Sequence, residues 1–157
     1  MGIREEYAIL ILTGFKRYEI RKRQLRFPPG TRIWLYATKK SHGITGAVLG
    51  SFIVGGCLPI TGERDLRAFA KEAAVTRGQL YAYLGGRDGW AIKVASYQRL
   101  KEPLSTTQYG LQTYRRLTES RGDRRLRGQL DAAEKYQNRR PLSATAAASK
   151  ATRARSC

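Results

Sequence analysis

Seven basic residues and one acid occupy the stretch from Thr13 to Arg32, with the dense order Lys16-Arg17-Tyr18-Glu19-Ile20-Arg21-Lys22-Arg23 followed by Arg26 and Arg32. Cations interleaved with aromatic and apolar side chains on an extended segment suit a surface that neutralises phosphates and offers stacking positions to bases. Glu19, flanked by Arg17 and Arg21, should stay ionised because nearby cations favour the carboxylate, and it is then an acceptor suited to an exocyclic amino group of a base. Lys16 suits a phosphate contact, or general-base or nucleophilic work where burial lowers its pKa. Strict strand alternation puts Lys16 on the side of Tyr18 and Ile20, opposite Glu19 and Arg21. The two reach one cleft only if the strand bends or begins after Lys16, which Gly14 permits. The competing reading is a solvated charged face with a surface lysine and a structural Glu–Arg pair.

A second group follows the next strand pattern. Tyr36 and His42 are candidates for stacking on a base and Lys39 and Lys40 for phosphate contact, in a loop placed to close over the cleft; a mobile basic loop is the alternative. His42 has no Ser or Cys nucleophile visibly paired with it. Cys57 lies in an apolar run and reads as a small core residue. The glycine pairs at 55 and 85 lack the Lys-Ser or Lys-Thr of a phosphate loop, so the pattern does not support ATP or GTP binding. One histidine and two distant cysteines leave no metal site of the usual spacing and no disulfide framework, and no cofactor is expected. Two cysteines suit a reducing cytoplasm, and the absence of an apolar run of the roughly 18 residues that a span requires argues against a membrane.

These residues need elements to hold them. Glu5 to Thr13 reads as a helix with acids in its first turn and Gly14 as its stop. Tyr18 to Arg21 alternates as a half-buried strand with one charged face, and Thr31 to Ala37 is the clearest strand, following the turn Pro28-Pro29-Gly30. Ile44 to Ile60 is β-rich and broken by Gly46, Gly50, Gly55 and Gly56, as a bent or bulged strand would be. Asp65 to Ala74 reads as a helix, while Thr76 with Gln79 and Ser105 with Gln108 each fit a capping box. Gly85 to Gly89 turns the chain into a strand from Trp90 to Val94, with Trp34 and Trp90 expected in the core. The fold class is α+β, a small barrel with short peripheral helices and a basic C-terminal tail.

The 157 residues are 41% apolar and carry a formal charge of +18, which suits one compact domain with an anionic partner such as nucleic acid. Residues 1–118 hold 20 basic and 8 acidic residues, and residues 119–157 hold 10 and 4 with no Phe, Trp, Ile or Val. The domain is therefore placed at 1–118 and a basic tail at 119–157. Helical spacing of Leu126, Leu130 and Ala133 marks a candidate helix over 123–139, and the Ala, Ser, Thr and Arg composition beyond about residue 140 predicts disorder.

The order of motifs resembles one family. Gly14 to Arg21 is similar to the GxKxxExR signature of the ASCH domain; Pro29 to Ala37 is similar to its second strand and Ile44-Thr45-Gly46 to its next. Gly86-Arg87 with Trp90-Ala91-Ile92 is similar to its late GR element, and Lys101 to Leu104 with Gln112 to Leu117 to its closing segment. The resemblance covers roughly residues 1–117. It implies a PUA-like β-barrel with a cleft beside the signature strand that binds RNA or a nucleotide. One branch of the family hydrolyses 4-acetylcytidine through a signature Lys, a Thr three residues later and a more distant Glu, and some members are reported as ribonucleases. Lys16 matches that Lys, but Glu19 stands where the Thr would be, which favours the binding form.

The leading expectation is a cytoplasmic protein that binds RNA or a nucleotide, with Lys16, Glu19, Arg21, Tyr36 and Lys39 at the ligand and Arg17, Lys22, Arg23 and Lys40 attracting phosphates. The alternative is a hydrolase acting on a modified nucleoside, or a ribonuclease, using Lys16 and Glu19. A third reading is an adaptor that recruits a protein partner through its basic tail.

Overall fold

The computed structural model describes residues 1–38, 46–105, 124–125 and 127–132. Five strands, β1 (Gly2–Ile3), β2 (Tyr18–Arg21), β3 (Arg32–Ala37), β4 (Ala47–Ile60) and β5 (Gly89–Ser105), form one sheet in the order β1-β3-β4-β5-β2. β1 runs parallel to β3, and every other pair is antiparallel. The helices are α1 (Glu5–Leu12), α2 (Gly62–Glu72) and α3 (Arg77–Leu84), and residues 124–125 and 127–132 are also helical. Among the described residues no helix is long and apolar enough to cross a membrane.

The long strands bend where their glycines lie. The β4–β5 register shifts between Val48 and Gly50 and again between Val54 and Gly56. Each bulge bends the strand and increases its twist, which curls the sheet. At Gly50 a Cβ would sit 2.4 Å from the Gln98 carbonyl oxygen and 2.7 Å from Leu12 Cδ2, so only glycine lets α1 and β5 approach β4 this closely. α1 buries Ala8, Ile11 and Leu12 against Ile33, Leu35, Phe52 and Val54 of the inner sheet face. α2 and α3 close a second cluster over Ile20, Ile60 and Ala91 through Leu66, Ala70, Leu80 and Leu84. On the outer face Leu130 packs with Tyr36, Val48 and Leu100.

Three expectations change. The sheet is not closed as a barrel: no ladder joins its edges β1 and β2 among the described residues. β1 is only two residues long, and its Gly2 carbonyl accepts a hydrogen bond from Arg21 Nη2 at 2.9 Å, so a side chain bridges the gap where a strand ladder would close it. β2 has no solvated charged face, because Glu19 and Ile20 are both buried. The sheet packs against helices on the Ile20 side and folds Lys16 and Arg21 over Glu19 on the other. Trp34 and Trp90 are half-buried rather than core; Arg32 lies over the Trp34 ring at 5.8 Å.

Other elements begin or end away from their sequence signals. α2 starts at Gly62, where the Asp65 carboxylate accepts from the Thr61 backbone N–H at 2.8 Å, and it ends at Glu72. β5 runs on to Ser105, which pairs with Ala47; the remainder of the Ser105–Gln108 box lies outside the described residues. So do most of the candidate helix over 123–139 and the tail beyond 140.

Candidate functional site

The gap between the sheet edges holds a cavity of about 570 Å³. β1 and the start of α1 form one wall, the Lys16–Arg21 segment a second, and one stripe of α3 a third.

The signature segment is set by the end of α1. Gly14, at φ +81°, takes a left-handed turn, and a Cβ there would lie 2.6 Å from the Tyr97 hydroxyl. The Lys16 backbone N–H then donates to Leu10 O at 2.9 Å, and Arg17 N–H to Glu72 O at 2.8 Å, so both residues are pinned before β2 begins. The alternation problem is thereby resolved, since Lys16 precedes the strand and its side chain is free to turn toward that of Glu19.

Lys16 is 3% exposed. Its Nζ donates to Ala73 O at 2.9 Å, lies 3.6 Å from Glu19 Oε2 and sits 5.1 Å from the centre of the Tyr7 ring. Ala73 caps the C-terminus of α2, where the helix dipole favours a cation. The ammonium therefore faces three electron-rich partners. Burial lowers the Lys16 pKa from its ordinary value; the Glu19 carboxylate opposes this, and Arg21 adds to it.

Glu19 is 6% exposed. Its Oε1 receives Arg21 Nη2 at 3.0 Å, while Oε2 faces Lys16. Arg21 thus joins the carboxylate to the Gly2 carbonyl across the gap, and its buried Nε has no partner among the described residues. On the far wall Gln79, Ala82 and Tyr83 repeat at i, i+3 and i+4 along α3, which places them on one face of the helix toward the cavity. Burial raises the Tyr83 pKa, with Arg21 lowering it and Glu19 raising it, which sets this hydroxyl within the field of both charges.

The structure thus brings Lys16, Glu19 and Arg21 together in one cluster at the cavity, with Lys16 and Glu19 buried and Arg21 half-buried. Lys22 lies over the Tyr83 ring at 5.3 Å, beside the cavity, and Arg23 is exposed. Arg17 points to solvent and pairs with Glu72 at 3.6 Å. Tyr36 is not brought to the cavity: it is buried on the outer sheet face under Leu130. Lys39, Lys40 and His42 lie outside the described residues. Sequence reasoning missed Tyr7, Gln79 and Tyr83; the i, i+3, i+4 stripe of α3 was visible in the chain, but nothing local said which way it faces. No group of three or more His, Cys, Asp or Glu residues able to hold a metal ion occurs among the described residues.

The motif order and the five-stranded sheet agree with what comparison shows. The ASCH domain profile matches residues 1–120, and the chain belongs to the ASCH domain family. The chain is similar to the crystal structure of ASCH from Zymomonas mobilis, at a TM-score of 0.64 and 21% identity over 83% of this chain and 92% of that one. Two variants of the same Zymomonas mobilis protein, each with a single substitution, align with TM-scores of 0.64 and 20% identity, covering 83% of this chain and 95% and 93% of theirs. At this identity the likeness concerns the fold. No curated protein matches the chain.

Proposed function

We propose that the cavity binds one base of an RNA strand or a free nucleotide, in a cytoplasmic setting, with Glu19 as the acceptor for a donor on the base edge. The observation that carries this reading is the Lys16–Glu19–Arg21 cluster, with its buried carboxylate, in the wall of a cavity large enough for a nucleoside. Glu19 lies buried between two cations, and a buried carboxylate recognises an N–H donor strongly. The wall also offers the half-buried Tyr7 ring, against which a base can lie. Lys22, over the Tyr83 ring, supplies a cation beside the cavity, and exposed Arg23 and the basic segment after residue 118 extend the charged footprint without base specificity.

A hydrolytic role for Lys16 would need a free amine. Burial favours the neutral form, but the amine donates to Ala73 O and faces Glu19, so its geometry suits a positioning cation better than a nucleophile.

The test is fluorescence anisotropy of a labelled single-stranded RNA with the intact protein and with Ala82→Trp, a substitution at an exposed cavity-lining position that fills the opening without touching the charged cluster. Loss of binding with an unchanged melting temperature supports the cavity. Binding that persists in Ala82→Trp shows that RNA sits elsewhere.

A further inference from the structure

One residue of the α3 capping box, Gln79, lines the cavity. Gln79 Oε1 accepts the Thr76 backbone N–H at 2.8 Å, and Thr76 Oγ1 accepts the Gln79 backbone N–H at 3.1 Å. An amide has one oxygen and one nitrogen, so this bond fixes which way round it lies. With Oε1 committed to the helix start, Nε2 is left as a donor, and among the described residues it has no protein partner. Gln79 lines the same cavity as Glu19, on the α3 stripe that also carries Tyr83.

The cavity therefore offers a fixed acceptor from β2 and a fixed donor from α3. We infer that Gln79 is a specificity-determining residue that works with Glu19 to select bases presenting an amino group next to a ring-nitrogen acceptor, as cytosine and adenine do. This rests on the base-binding reading proposed above. The amino group of such a base donates to Glu19, and the ring nitrogen beside it accepts from Gln79 Nε2. Uracil and hypoxanthine present the reverse order, a carbonyl acceptor where the amino group stands and an N–H donor where the ring nitrogen accepts. With the sugar held toward the opening, the base cannot turn over to restore the match. The mismatched base sets its carbonyl against the buried Glu19 carboxylate and its N–H against the Gln79 Nε2 donor, so Glu19 loses its partner and groups of like polarity face each other.

The same helix supplies a clean variant. Gln79→Glu keeps an oxygen for the Thr76 N–H, because glutamate serves the capping box as well as glutamine does, but it removes the donor. Isothermal titration of the full chain with cytidine, adenosine, uridine and inosine 5′-monophosphates reads the outcome. The wild type should prefer the cytidine and adenosine nucleotides by about tenfold or more, the scale of one good two-point base contact. In Gln79→Glu that ratio should collapse toward one or reverse, with the melting temperature unchanged. Wild-type protein that binds all four equally, or a Gln79→Glu variant that keeps the wild-type ratio, overturns the role of Gln79 while leaving base binding intact. Wild-type protein that binds none of the four overturns both this inference and the reading on which it rests.

Discussion

At the scale of single residues the protein concentrates its risk in one carboxylate. Glu19 is the counter-charge for a lysine buried in the protein and for an arginine that spans the sheet gap. Removing one partner of a buried pair leaves the other charge uncompensated, so Glu19→Gln should lower stability by about 3–5 kcal/mol, measured by urea denaturation. An unchanged midpoint would mean that the cluster is solvated. Lys16 gives a pH signature. Its folded pKa lies below the ordinary 10.5, so between the two values the unfolded chain binds more protons than the folded one, and stability rises with pH through that window. Denaturation midpoints measured against pH for wild type and Lys16→Met should differ by this rising alkaline component, present only in the wild type; parallel curves would contradict it. Much of this site was legible in the chain, because Lys16, Glu19 and Arg21 sit within six residues. Their burial was not, since alternation alone cannot say that one strand will be covered on both faces.

At the scale of elements, α3 and the glycine bends carry the site. Thr76→Ala removes one half of the capping box, leaving the Gln79 backbone N–H without its Oγ1 acceptor while the Thr76 N–H still holds Gln79 Oε1, at a cost of about 1 kcal/mol in a thermal melt. Gly50→Ala should cost more, about 2–3 kcal/mol by urea denaturation, because the added methyl meets the Gln98 carbonyl and Leu12 at distances that only a backbone shift relieves. A neutral result at Gly50 would show that α1 can slide on β4. The Thr76 box and the bent Ala47–Ile60 strand could be read from Thr, Gln and Gly at telling positions, since these signals are local. β1 could not, because two residues make no period and their pairing with Tyr36 and Ala37 is long-range. The extension of β5 through Glu102 and Pro103, both poor strand formers, also depends on its partner β4. Tyr36 shows the limit of alternation, which separates Ile33, Leu35 and Ala37 from Trp34 and Tyr36 but does not say which set packs under α1 and which under Leu130.

At the scale of the whole molecule, an open sheet edge is bridged by a side chain in a chain that is strongly basic. With a formal charge of +18, affinity for single-stranded RNA should fall linearly with the logarithm of salt concentration, with a slope of about −0.7 per phosphate neutralised. A flat salt response would exclude backbone contact. Leu130, 1% exposed, ties the helical residues 127–132 to the outer sheet face, so Leu130→Ala should destabilise the full chain by about 2–5 kcal/mol in urea denaturation. The most direct test of the central claim is a two-dimensional amide NMR titration of the full chain with a short single-stranded RNA. Binding of a base in the cavity predicts shifts concentrated at Ile3, Glu19, Arg21, Gln79 and Tyr83, saturating together with one dissociation constant. Shifts confined to exposed cations such as Arg23, with the cavity residues unmoved, would contradict it.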